Sequence, residues 1–135
     1  MAEEFSFELV SPEKLLLAEE VDMVVVPGAE GDFGVLVGHA PLISSLRPGV
    51  IDTYNGGKVA DRIFVAGGFA EVTGERCTVL AEEAIPVKDI DSANAEERLK
   101  VAKEAISGAD NDTLRNAAEI ELTVAEAMLA ARRAA

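Results

Sequence analysis

Phe5, Phe7 and Leu9 alternate with polar Ser6 and Glu8, the two-residue period of a strand that buries one face. Short β-type runs continue to about Val87, separated every eight to twelve residues by turn chemistry, which is the mark of a sandwich or barrel. Val21 to Val26 is more continuously apolar and reads as a central strand. Tyr54-Asn55-Gly56-Gly57-Lys58 places residues that tolerate positive φ between two extended segments, a hairpin signal. Gly67-Gly68, between Ile63-Phe64-Val65 and Phe69-Ala70-Glu71-Val72, and Thr73-Gly74-Glu75, before Cys77 to Ala81, repeat the device. Consecutive hairpins imply antiparallel neighbours.

After Pro86 glycine almost disappears, alanine becomes abundant, and apolar positions recur every three to four residues. Asp91 or Ser92 is suited to cap a helix whose stripe is Ala95, Leu99, Ala102, Ala105 and Ile106. Ser107 to Asn111 stops it, with Gly108 suited to a left-handed C-terminal cap. Asp112 or a neighbour opens a second helix carrying Leu114, Ala117, Ala118, Leu122, Ala125, Met128 and Leu129. The expected architecture is a β-sandwich of antiparallel strands over residues 1–87, followed by a C-terminal antiparallel α-helical hairpin over residues 88–135. Small side chains let these helices approach closely while each contact buries little area, at about 25 cal/mol per Å². Such a hairpin suits an element able to leave its resting place, and equally an ordinary alanine-rich tail.

Composition narrows the choice of partners. A net charge of −13 disfavours nucleic acid and anionic bilayers, which repel such a chain over a Debye length, so proteins are the expected partners. No apolar run approaches a membrane span, and Met1-Ala2-Glu3-Glu4 lack the features of a signal or transit peptide. The chain is expected to stay where it is made unless another subunit carries it to a membrane. Residues number 135 and 49% are hydrophobic, enough for one compact domain and an appendage without disulfides or metal. The single Cys77, in an apolar run, reads as a buried core thiol in a reducing compartment.

The stretch 27–49, PGAEGDFGVLVGHAPLISSLRPG, holds five glycines and three prolines around short apolar segments. Glu30-Gly31-Asp32-Phe33-Gly34 lacks the alternating carboxylates of a calcium loop and the Gly-Lys-Ser/Thr ending of a P-loop, leaving a turn with exposed acids or a charged protein contact. His39 is the lone histidine, so neither a metal site nor a triad assembles around it; it reads as a satisfied turn residue or an interface donor. No nucleophile–base set or paired carboxylates in a cleft can be found, so no catalysis is expected of the chain by itself. Aromatic residues at 4%, without tryptophan, argue against stacked-base recognition.

These motifs resemble the epsilon subunit of F-type rotary ATP synthases, called delta in mitochondria, over essentially the whole chain. Phe7-Glu8-Leu9-Val10-Ser11-Pro12-Glu13 resembles its opening strand and turn. Glu30-Gly31-x-x-Gly34, Gly38-His39-Ala40-Pro41-Leu42 and Pro48-Gly49 form the most specific match, while Gly67-Gly68-Phe69, Glu71-Val72 and Thr78 to Ala81 resemble its last strands.

The resemblance implies a non-catalytic central-stalk subunit of a proton-translocating ATP synthase, clamped to gamma and resting on the c ring. It also implies a peripheral protein on the cytoplasmic side of a bacterial inner membrane, bound to the membrane only through the complex. Glu30, Gly31, Asp32 and His39 match the rotor-contact region. In bacterial relatives the hairpin extends along gamma into the alpha and beta subunits and blocks ATP hydrolysis. Arg115, Arg132 and Arg133 are the basic residues available for that grip here, opposed by Glu119, Glu121 and Glu126, so inhibition is expected to be mild.

Some relatives hold ATP with an Ile/Leu-Asp-x-x-Arg-Ala motif. The matching Ile90, Asp91 and Ala95 are present, but Asn94 replaces the arginine, so no resident cofactor and weak or absent ATP binding are expected. Two rivals from other classes are a stand-alone sandwich adaptor and a regulator whose main task is sensing nucleotide.

Overall fold

A computed structural model describes residues 3–134. Eight strands come first: β1 Phe5–Val10, β2 Leu15–Val21, β3 Met23–Gly28, β4 Gly31–Val35, β5 Leu42–Ser45, β6 Gly49–Asn55, β7 Lys58–Val72 and β8 Arg76–Pro86. A 3-10 turn, Val87–Asp89, leads to α1 Ser92–Ser107 and α2 Asp112–Arg133. The contacts divide the chain into two compact units, Met1–Pro86 and Val87–Ala135.

Within the first unit the hydrogen-bonded order is β2-β1-β8-β7-β6-β3-β4, with β5 added to β7. Burial follows the alternation of β1, where Phe5, Phe7 and Leu9 point inward and join Val24, Val26, Ile51 and Val79 in one core. All neighbouring strands are antiparallel except β1 and β8, which run parallel from Ser6↔Arg76 to Val10↔Leu80. The Asn55-Gly56-Gly57-Lys58 hairpin forms as expected. Gly56 and Gly57 both take positive φ, 62° and 77°, the requirement of a tight turn matched to strand twist.

The expected hairpin at Gly67-Gly68 is instead a bend inside one fifteen-residue strand. Before it β7 pairs with β6, from Lys58 to Val65; after it β7 pairs with β5, from Phe69 to Val72, and β8 accompanies both halves. Here the sheet passes from one layer of the sandwich to the other. Gly68 sits at φ 104°, and a Cβ there would lie 1.8 Å from the Leu80 carbonyl oxygen, so no side chain fits.

The run Val21–Val26 likewise resolves into two strands, because Asp22 breaks it. Its backbone N–H donates to Tyr54 O at 3.0 Å and its carboxylate accepts from the Gly56 N–H at 2.7 Å, so the corner is tied to the neighbouring hairpin. β3 remains interior, between β4 and β6, as its apolar character requires.

In the second unit Asp91 caps α1, its carboxylate accepting from the N–H groups of Ala93 and Asn94, and Asn111 caps α2 by accepting from Leu114 N–H at 2.9 Å. Gly108 ends α1 at φ −94° and not in the left-handed region; its N–H still reaches Glu104 O at 3.0 Å, so the helix closes without needing glycine's special freedom. Burial is uneven along the hairpin. Ala95, Ala102, Ala118, Val124, Ala125, Met128 and Leu129 are buried, whereas Ala105 and Ala117 of the expected stripes are exposed and Leu114 is 53% exposed.

Candidate functional site

The most distinctive constellation lies where β3 turns into β4. Ala29 and Glu30 form the turn, and Gly31 and Asp32 open β4 opposite Gly28 and Pro27. The adjoining β5 contributes exposed Leu42 and Ile43, the latter 68% exposed, and together these residues with Phe33, Ser44 and Ser45 line an open groove of about 510 Å³. Acid and apolar surface therefore share one concavity. An exposed strand edge of this kind is available for a partner and is not closed by the chain's own packing.

The two acids of the turn differ. Asp32 is ion-paired with Arg47, whose Nη1 also donates to Gly28 O at 2.7 Å. Arg47 N–H donates in addition to Pro27 O, pinning the base of the turn from the β5–β6 connection. Glu30 is exposed and makes no ion pair among the described residues, so it is the carboxylate left for an external cation. Arg47 was not legible as part of this site, because it lies fifteen residues from Asp32 and only the pairing of β3, β4 and β6 brings them together.

His39 does not line the groove. It sits half-buried in the loop leading to β5, where its N–H donates to Leu36 O at 3.1 Å. Its Nδ1 lies 2.7 Å from Ala40 O; a carbonyl can only accept, so Nδ1 carries the proton and Nε2 is the free position. Gly38, at φ 81°, donates its N–H to Gly74 O and ties this loop to the β7–β8 turn.

In the helical unit, the residues matching the degenerate nucleotide motif have local structural work. Ile90 is buried and its carbonyl accepts from Arg132 Nε at 3.2 Å; Asp91 is the α1 cap; Ala95 is fully buried; Asn94 is exposed. Of the three arginines, Arg115 pairs with Asp112 at 2.9 Å, Arg132 holds Ile90, and Arg133 is exposed. Arg98 of α1 meets Glu121 of α2 at 3.2 Å across the hairpin. Beside that pair, Val101, Ala105, Leu114 and Ala117 line an apolar groove of about 380 Å³.

Cys77 is fully buried on β8, and burial pushes its thiol up to about 12, which makes it an inert core residue at neutral pH. Among the described residues no group of three or more histidine, cysteine or acidic side chains is arranged to hold a metal ion. No described helix is long and apolar enough to cross a membrane.

The described residues form an eight-stranded sandwich followed by a two-helix hairpin, with an open groove beside an acidic turn. Residues 4–87 match the family model described as "ATP synthase, Delta/Epsilon chain, beta-sandwich domain". The chain is 61% identical over 131 residues to the ATP synthase epsilon chain of Paramagnetospirillum magneticum, covering 97% of this chain and 98% of that one. It is 55% identical over 133 residues to the epsilon chain of Rhodospirillum rubrum, covering 98% and 99%. Its fold is similar to a chain in the cryo-EM structure of the Euglena gracilis mitochondrial ATP synthase OSCP/F1/c-ring, with a TM-score of 0.81 and 29% identity over 95% of this chain and 81% of that one. A chain of the Tetrahymena thermophila mitochondrial central stalk/c-ring shares the fold at a TM-score of 0.70 and 14% identity, over 97% and 98%. The chain belongs to the ATP synthase delta/epsilon family, as an epsilon-type, non-catalytic subunit of the rotor stalk.

Proposed function

We propose that this chain couples gamma to the c ring, using the β3–β4 turn and the β5 strip as its rotor-contact face. The observation that carries this reading is the groove in which Glu30 and Asp32 flank exposed Leu42 and Ile43. Apolar surface there supplies area to bury, and the carboxylates fix register against basic groups of a partner more than they add affinity. Asp32 acts through the Arg47 pair as a stiffener of the turn, and Glu30 is the contact residue. His39 offers Nε2 from the neighbouring loop. The complex holds the chain at the cytoplasmic face of the inner membrane.

Sandwich and hairpin, residues 1–87 and 88–135, act as separate functional parts, with alpha and beta as the hairpin's partners. Its inhibitory grip is weak, since Glu119, Glu121 and Glu126 stand against three arginines, of which Arg115 and Arg132 are already engaged within the chain. Truncation after Val87 therefore changes ATP hydrolysis only modestly; a large activation contradicts this. ATP binding is weak or absent, because Asp91 is committed to its cap, Ile90 and Ala95 are buried, and position 94 lacks a cation. Sub-millimolar affinity in calorimetry overturns it.

The direct test is co-purification with gamma followed by crosslinking to the c ring from a cysteine placed at Glu30, with Cys77 buried and silent. Crosslinks from position 30 support the reading. A gamma complex with no crosslink at 30 moves the ring contact elsewhere, and no complex at all favours the stand-alone adaptor.

A further inference from the structure

The sandwich contains one buried polar side chain, Thr53, among the described residues, and it marks a seam between layers. Edge strand β2 belongs to the layer of β1, whereas Thr53 and its cross-strand partner Asp61 belong to the β6–β7 hairpin in the other. A bulge follows Thr53, whose Oγ1 accepts from the Asp61 N–H at 3.0 Å. Glu19 of β2 faces both residues. Its Oε1 is buried and makes no hydrogen bond among the described residues.

This arrangement lacks one donor. Two carboxyl groups face each other, Thr53 offers a single hydroxyl proton, and a buried acceptor is left bare at a cost comparable to a lost hydrogen bond. Adding a proton to Glu19 resolves this, because the acid then donates to the Asp61 carboxylate and their repulsion vanishes. We infer that Glu19 and Asp61 share one proton across the two layers, forming a clasp that holds β2 against the β6–β7 hairpin and loosens when the proton leaves.

The groups facing Glu19 are few. Asp61 comes from β7 and Thr53 from β6, while on β1 the residue opposite is the apolar Phe7. Arg62, next to Asp61, is occupied by Asp52 at 2.9 Å and supplies no counter-charge. Burial raises the Glu19 pKa most, followed by the hydrogen bond with Asp61 and its charge, and the Thr53 hydroxyl opposes them.

The sign follows by linkage. A carboxyl that holds its proton more tightly when folded makes the fold more stable on the acid side, and that contribution is lost as pH rises from the ordinary glutamate range through the raised value. This is opposite to the usual salt-bridged acid. The seam is therefore an acid-strengthened element in a chain whose charge of −13 otherwise favours its titrating carboxylates being apart.

The test is a carboxyl-carbon NMR titration of the full chain. Glu19 is expected to titrate above the exposed glutamates, and in Asp61→Asn, where the amide can donate to a charged Glu19, its midpoint should fall toward theirs. Denaturant midpoints add a second readout. In the unaltered chain the midpoint should include a fall as pH rises above the ordinary glutamate range, which Glu19→Gln, a permanent donor of similar shape, removes. Glu19 titrating with the exposed glutamates, an unmoved midpoint in Asp61→Asn, or a Glu19→Gln profile parallel to the unaltered chain each overturns the clasp. If Glu19→Gln fails to fold, the titration of the unaltered chain decides alone.

Discussion

The sandwich and the hairpin bury different kinds of side chain. In the sandwich Phe7, Phe64, Ile51, Val24, Val26 and Val65 are fully enclosed, each removing a large or branched apolar group from water. In the hairpin five of the eight buried residues of α1 and α2 are alanines, while Val101, Leu114 and Ile120 stand 53%, 53% and 65% exposed. The lesson is that one chain can carry a closely packed part and a thinly packed part that differ in the size of the side chains they bury. Stiffness suits a coupling slab under torque, and a weakly held hairpin suits a regulatory element.

The sharpest way to break this contrast is to make one deletion in both parts. Leu9→Ala in the β1 core should lower unfolding free energy by about 2–5 kcal/mol in urea melts, since it empties a close-packed site. Gly68→Ala should come next, costing upwards of about 1–3 kcal/mol, because the bend needs positive φ and the Leu80 carbonyl blocks a Cβ; Gly74→Ala, with open space around it, is the control. Asp91→Ala should cost the hairpin about 1 kcal/mol through the lost cap, read as faster amide exchange at the start of α1. Leu114→Ala should move stability by no more than about 0.5 kcal/mol. A Leu114 effect matching that of Leu9 would erase the distinction.

Cys77 provides an internal reporter. With the thiol buried and its ionisation pushed up to about 12, native protein should resist alkylation at neutral pH and react only as the sandwich opens. Leu9→Ala should therefore accelerate labelling strongly and Leu114→Ala hardly at all. Equal labelling rates in the two variants would place Cys77 outside the cooperative core.

Local patterns were legible where local physics decides. The β1 alternation, the Gly56-Gly57 turn, the Asp91 cap and the helical period after Pro86 each depend on residues a few positions apart. Gly67-Gly68 was misread because a turn and a bend both call for positive φ, and only β8, running unbroken beside both halves of β7, separates them. Gly108 stopped its helix without the left-handed conformation that glycine permits. At the candidate site Glu30 and Asp32 were legible as exposed acids of a turn, but the Arg47 partner, which makes them unequal, is set by strand pairing and had no sequence signal. Likewise the Glu19 seam joins three strands and appears only in the fold.

Native-state hydrogen exchange of the full chain tests the central contrast most directly. Ladder amides of β1, β7 and β8 should exchange only through global unfolding, whereas amides around the α1–α2 loop, from about Val101 to Ile120, should exchange through local opening at much lower free energy. Equal protection in the two segments, or a hairpin better protected than the β1–β8 ladder, would contradict the division into a stiff slab and a thinly packed hairpin.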